Sequence, residues 1–357
     1  MKLSEASERA MTYPKGQEEW SCGFSYTPVF GLGYEEGIHR RDPSSILEVD
    51  GVYYVWYTKS SGPMFGQTVR DPYAKKYPWD YANIFYATSL DGVAWEERGC
   101  AIPHGGKGDY DERTVCTPDV MEHEGKYYLV YQTLPQGTKY DGSEEHVAMA
   151  IASDPNGPWE KLEANILDPM DQGEWFGQHD NYNDGFYTGR CHDPMLFAYN
   201  EKFYLYYKCC STGEAEKYAE VDTRWGVSIA DCITGPYHAS EYNPVTNSGH
   251  ETLLWPYQGG IAALLNRDGP EKDTIQYAKD GINFSLMAKV QDTPQAGGAF
   301  RSKNPDLCPL EGIRWGLCHV DERGGVWNHI VRFDVDTRHP YCRPMKYPKS
   351  NCDYLHN

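Results

Sequence analysis

From Tyr34 onward the chain alternates short apolar runs with polar turns. Val52-Tyr53-Tyr54-Val55-Trp56-Tyr57, Tyr127-Tyr128-Leu129-Val130-Tyr131 and Phe203-Tyr204-Leu205-Tyr206-Tyr207 are too short for helices and are apolar on both faces, as strands covered on both sides are. Each leads to a second run, at 84–89, 147–153 and 225–230, and then to a turn and an aromatic: Leu90-Asp91-Gly92-Val93 before Trp95, Asp154-Pro155-Asn156-Gly157-Pro158 before Trp159, and Gly235-Pro236 before Tyr237. Gly260-Ile261-Ala262-Ala263-Leu264 with Thr274-Ile275-Gln276-Tyr277-Ala278 repeats the pattern, and Trp315-Gly316-Leu317-Cys318-His319 with His329-Ile330-Val331-Arg332-Phe333 repeats it more loosely. Five units spaced by about 55–75 residues predict an all-β chain folded as a five-bladed β-propeller over residues 31–340, because a small sheet of this kind buries its faces only against its neighbours.

Acids recur at the entrances of these units. Asp42-Pro43 precedes the first apolar run, Thr117-Pro118-Asp119 the second and His192-Asp193-Pro194 the third. Each has a plain reading as a turn residue. In a propeller, however, the innermost strands line one channel, so equivalent entrances bring Asp42, Asp119 and Asp193 towards a shared pocket. The fourth unit departs, with Asn243-Pro244 followed by Ser248-Gly249-His250-Glu251. Adjacent strand residues point to opposite faces, so His250 and Glu251 both reach the pocket only if the backbone is irregular there, which Gly249 permits.

The formal net charge of −19 excludes nucleic acid or an anionic membrane surface as the main partner. A neutral ligand fits better, and the 29 Tyr and 10 Trp suit stacking against sugar faces. Two carboxylates across a cleft are what glycosidic bond hydrolysis needs. The 11 Cys show no CxxC pair, which disfavours a metal finger or a disulfide scaffold and suggests a reducing compartment. No apolar signal-like stretch follows Met1, so a cytoplasmic protein is expected. Residues 4–11 read as a short amphipathic helix within an N-terminal arm, 1–30, that reaches a partner subunit, and residues 341–357 read as a tail. His319 and Asp306 are conceivable metal ligands in the channel, but no spacing demands a metal and none is expected, nor any other cofactor.

Tyr34-Glu35-Glu36-Gly37, Arg40-Arg41-Asp42-Pro43-Ser44, Tyr54-Val55-Trp56-Tyr57-Thr58-Lys59, His192-Asp193-Pro194, Ser248-Gly249-His250-Glu251, Trp255-Pro256-Tyr257 and Asp268-Gly269-Pro270-Glu271-Lys272 together resemble glycoside hydrolase family 117 along nearly the whole chain. The resemblance implies a five-bladed α-1,3-L-neoagarooligosaccharide hydrolase that releases 3,6-anhydro-L-galactose from the non-reducing end. It also implies a dimer exchanging the arm that carries Ser4, Ala6, Arg9 and Ala10. By the same resemblance Asp42 is the general base of an inverting mechanism and His250 the general acid, with Asp193 and Glu251 holding the sugar and tuning the acid. The sugar-contacting rim would comprise Arg41, Trp56, Phe85, Tyr86, Thr117, Asp119, Gln132, His192 and Trp255. Phe85-Tyr86 stands where the family carries Trp-His, Asp119 where it carries Glu, and the 172–189 loop departs from the pattern, which opens the reading to another α-linked or sulfated sugar. Two further readings are a five-bladed glycosidase for arabinose- or xylose-containing chains and a non-catalytic sugar-binding propeller. The second would repeat one motif in every blade, and the blade entrances here differ.

Overall fold

Val52–Ser61 shows how the two-sided apolar runs are used: Tyr54 and Trp56 pack to one side of the strand, and Val55 and Tyr57 to the other. The computed structural model describes residue 4 and residues 18–66, 69–71, 73–135, 145–168, 191–210, 223–320 and 327–337. These form five antiparallel sheets, the blades of a propeller. Blade 1 runs outward from Ile38–Arg41 through Val52–Ser61 and Asn83–Ser89 to Trp95–Ile102, with Leu47–Val49 continuing its inner strand. The inner strands of blades 2, 3 and 4 are Thr114–His123, His192–Tyr199 and Leu253–Tyr257, and that of blade 5 is Gly298–Ala299.

Five buried apolar clusters fill the gaps between blades, and the period-2 alternation of the second strands supplies them. Tyr128 and Val130 face blade 3 while Tyr127, Leu129 and Tyr131 face blade 1. Tyr204 and Tyr206 meet Ile261, Ala263 and Leu265 of blade 4, and Ala262 and Leu264 turn to blade 5. The Asp-Gly turns close the outer hairpins as Asx turns: Asp91 Oδ1 accepts from the backbone N–H of Val93 and Ala94, and Asp280 Oδ1 from those of Ile282 and Asn283.

The ring closes in two places. At the rim, Gly23–Pro28 adds as the outermost strand of blade 5, pairing from Gly23 with Asp336 to Pro28 with Val331. The domain boundary expected at residue 30 therefore falls too late, because the chain's first strand completes its last blade. At the axis, the Ile46 N–H donates to the Ala299 carbonyl and the Arg301 N–H to the Ile46 carbonyl, both at 2.9 Å. A Cβ at Gly298 would lie 1.7 Å from the Ser44 carbonyl oxygen, so only glycine allows these inner strands to approach so closely. The expected helix at 4–11, apart from Ser4, the 172–189 loop and the 341–357 tail lie outside the described residues.

Asp119 ties the centre together. Its Oδ1 accepts from the Ser45 N–H of blade 1 at 3.2 Å. Its Oδ2 takes the Leu196 N–H of blade 3 at 3.3 Å and the Arg301 guanidinium of blade 5 at 2.7 Å. Asp119→Ala strands the Arg301 charge and two buried N–H groups, with an expected cost of about 3–5 kcal/mol. Phe24→Ala, in the closing strand, should cost about 3–5 kcal/mol through the cavity it leaves. Equilibrium urea denaturation tests both, and a loss under about 1 kcal/mol for either would contradict the role assigned to it here.

Candidate active site

The inner strands of blades 1, 2 and 3 are interrupted at equivalent points, and the interruptions aim the site. Asp42, Thr117 and Asp193 take left-handed φ values of 48°, 45° and 51°, each directly before a proline. In blades 2 and 3 the register skips across these residues, from Cys116 to Asp119 and from His192 to Met195. Left-handed backbone at non-glycine residues costs on the order of 1–3 kcal/mol each and persists where the surroundings enforce it. Thr117 is thus the counterpart of Asp42 and Asp193. Asp119, expected at the same position, lies two residues further on and serves the axis, although it also lines the pocket.

That pocket is a cavity of about 410 Å³ including its open mouth, lined by Asp42, Thr117, Asp119, Asp193 and Glu251 from four blades. Asp42 is buried between two partners. Arg41 Nε donates to its Oδ2 at 2.8 Å, and the fully buried His319 places Nδ1 3.3 Å from its Oδ1 and from its backbone nitrogen. Burial alone would raise Asp42, but the Arg41 guanidinium and the His319 imidazole outweigh it and hold the carboxyl well below the usual carboxylate range. Asp193 goes the other way. Burial lifts it, the paired Lys208 opposes, and the charges of Glu251 and Asp42 add to the rise.

In blade 4 the loop carrying His250 and Glu251 is held by Asn266, whose carbonyl accepts the His250 N–H at 2.8 Å and whose Oδ1 accepts the Glu251 N–H at 3.0 Å. Gly249 has φ 107°, and a Cβ there would meet Thr252 Oγ1 at 2.5 Å, so the irregular backbone expected at this glycine is present. His250 is about a third exposed beside Glu251, with Nε2 3.8 Å from Glu251 Oε1 and Nδ1 2.7 Å from Asp268 Oδ2. The ring itself is not among the cavity-lining residues, while Glu251 is.

The rim expected from the sequence is only partly assembled. Trp56 is fully buried between blades 1 and 2, stacked with Tyr54 and Tyr86 and edge-on to Trp159. Tyr86 belongs to that stack and Phe85 lies under the Lys59 ammonium, both on the third strand of blade 1 and away from the axis. Trp255 is buried between blades 4 and 5, its Nε1 donating to the Pro309 carbonyl. These four are packing residues, because an aromatic on a two-sided strand is taken up by the neighbouring blade. Gln132 and His192 support the pocket from behind: Gln132 accepts from Thr117 Oγ1 and donates to Glu145, and His192 Nδ1 lies 3.5 Å from Glu145.

The sequence reading missed Lys208, Arg301 and Trp79, whose ring lies 4.7 Å from the Arg41 guanidinium carbon. It considered His319 only as a metal ligand. Asp306, the other channel candidate, instead accepts the Gln258 N–H at a surface turn. Among the described residues no group of three or more His, Cys, Asp or Glu side chains is arranged to hold a metal ion.

No protein-family model matches the chain, and no curated protein matches it significantly. Solved structures do. Sucrose-6-phosphate hydrolase from Lactobacillus gasseri is 17% identical over 85% of this chain and 60% of that one, with a TM-score of 0.58. The GH43 β-1,3-galactosidase BT3683 is 13% identical over 86% and 94%, with a TM-score of 0.52. Both share the propeller fold. Zg3597, a family 117 glycoside hydrolase produced by the marine bacterium Zobellia galactanivorans, is 34% identical over 89% of this chain and 92% of that one, with a TM-score of 0.75. An identity of that size, sustained along nearly the full length of both chains, means that this protein is a glycoside hydrolase of family 117.

Proposed function

We propose that the protein is an exo-acting, inverting hydrolase that releases 3,6-anhydro-L-galactose from neoagarooligosaccharides. The observation that carries the proposal is the convergence of Asp42, Asp193 and Glu251 on one pocket with His250 oriented beside them. Asp42 is ionised at any working pH and so accepts a proton from water as that water attacks the anomeric carbon. The glycosidic C–O bond breaks on the opposite face, and the leaving oxygen takes a proton from His250 Nε2. Glu251 Oε2 is buried without a hydrogen-bond partner among the described residues, on a side chain that lines the cavity. A sugar hydroxyl satisfies such an acceptor. Asp193, raised and paired with Lys208, presents a second hydroxyl contact.

The pocket's charge favours a neutral sugar over a sulfated one. Four carboxylates and, among the described residues, no Lys or Arg line it, so a sulfate there has no lining cation to pair with.

The test is hydrolysis of neoagarobiose and neoagarotetraose, with the first-formed anomer followed by proton NMR. The wild type should release anhydrogalactose with inverted configuration. Asp42→Asn and His250→Ala should each lose at least about 10²-fold in kcat while keeping their fold. Retained configuration, or full activity in either variant, would refute the roles given to these residues, and an inert, folded wild type would refute the substrate.

A further inference from the structure

Trp225 is the one aromatic among the described residues that line the pocket. It is fully buried on the third strand of blade 3, Thr223–Ala230, where its ring belongs to the apolar cluster between blades 3 and 4. Its three polar atoms all reach the segment that leads to His250 and Glu251. The indole Nε1 donates to the Gly249 carbonyl at 2.8 Å, and the backbone carbonyl accepts the Val245 N–H at 2.8 Å. The Trp225 N–H donates to the Thr246 hydroxyl at 3.1 Å, and that hydroxyl donates to the Ser248 carbonyl at 2.8 Å. One residue thus grips both ends of 245–249.

We infer that Trp225, reaching across the boundary between blades 3 and 4, is the positioning residue that fixes the Gly249 turn and so sets where His250 delivers its proton. The inference rests on reading His250 as the acid. A glycine has more backbone freedom than any other residue, so this turn does not choose one conformation by itself. The choice comes from the peptide unit joining Gly249 to His250, which is rigid and planar. Its carbonyl is held by the Trp225 indole of blade 3 and its N–H by the Asn266 carbonyl of blade 4, at 2.8 Å each. An indole N–H can only donate, and a buried carbonyl needs a donor, so the pair dictates which way the unit faces.

Trp225 also forms part of the pocket wall, and the two roles separate chemically. A displaced acid slows the departure of a sugar alcohol, whose oxygen must take a proton as the glycosidic bond breaks. It does not slow the departure of dinitrophenolate, which leaves with the bonding electron pair and no proton. A damaged wall slows both. Trp225→Phe keeps an aromatic ring in the wall and removes the donor to Gly249. Thr246→Val is close in shape, leaves the indole in place and removes the donor to Ser248.

The experiment compares neoagarobiose with the dinitrophenyl α-glycoside of 3,6-anhydro-L-galactose in wild type, Trp225→Phe, Thr246→Val and His250→Ala. In Trp225→Phe, kcat on neoagarobiose should fall about 10-fold with KM within about 3-fold, while the rate on the aryl glycoside stays within about 3-fold. Thr246→Val should show the same split to a smaller extent, and it decides alone if Trp225→Phe does not fold. Without any substrate, amide hydrogen exchange at Gly249, His250 and Glu251 should quicken about 10-fold in both variants. With the split present in His250→Ala, equal effects on the two substrates in Trp225→Phe, or unchanged exchange, overturn the inference. Equal losses in His250→Ala, or a folded wild type inert on both substrates, refute the proposed function instead, and exchange alone then decides whether Trp225 holds the turn.

Discussion

One buried carboxylate holds the middle of this ring. Asp119 extends from blade 2 and satisfies donors from blades 1, 3 and 5, among them the Arg301 guanidinium, which lies 4.9 Å from the centre of the Phe197 ring. Inner strands around a propeller axis cannot all pair with one another, so their free backbone groups need other partners. A carboxylate with two oxygens and several lone-pair directions meets three such demands at once. Because Asp119 also lines the pocket, the group that ties the blades together also forms part of the pocket wall.

The pocket concentrates negative charge, and its behaviour follows from how each acid is compensated. Asp42 has a guanidinium on one oxygen and an imidazole by the other, and stays ionised. Asp193 has one ammonium but faces two carboxylates, and is pushed up. Environments of this kind drive the proton affinities of like groups apart within one pocket. Left-handed backbone at Asp42 and Asp193 is the structural cost of aiming both side chains inward, and the adjoining prolines and flanking strands keep it in place.

Blade count was legible because each second strand is apolar on both faces, and only a stack of sheets buries both. The Asx turns at Asp91 and Asp280 were legible for a local reason, since the side chain bonds to its own next residues. The resemblance placed Trp56, Phe85, Tyr86 and Trp255 on the sugar-contacting rim, but whether an aromatic on such a strand faces a cleft or a neighbouring blade depends on sheet packing.

The sequence by itself determined the propeller and the convergence of Asp42 and Asp193, because regular strand alternation and equivalent entrances place residues without reference to distant parts of the chain, while its motifs carried the family and the irregular Gly249 turn brought in Glu251. Only the tertiary structure decided that Thr117 rather than Asp119 is the counterpart of Asp42, that Gly23–Pro28 completes blade 5, and that His319 and Asp268 are the partners of Asp42 and His250. Those pairings join side chains from different strands or blades, Asp42 and His319 being 277 positions apart. No local spacing encodes such a contact; it exists only once the ring has closed.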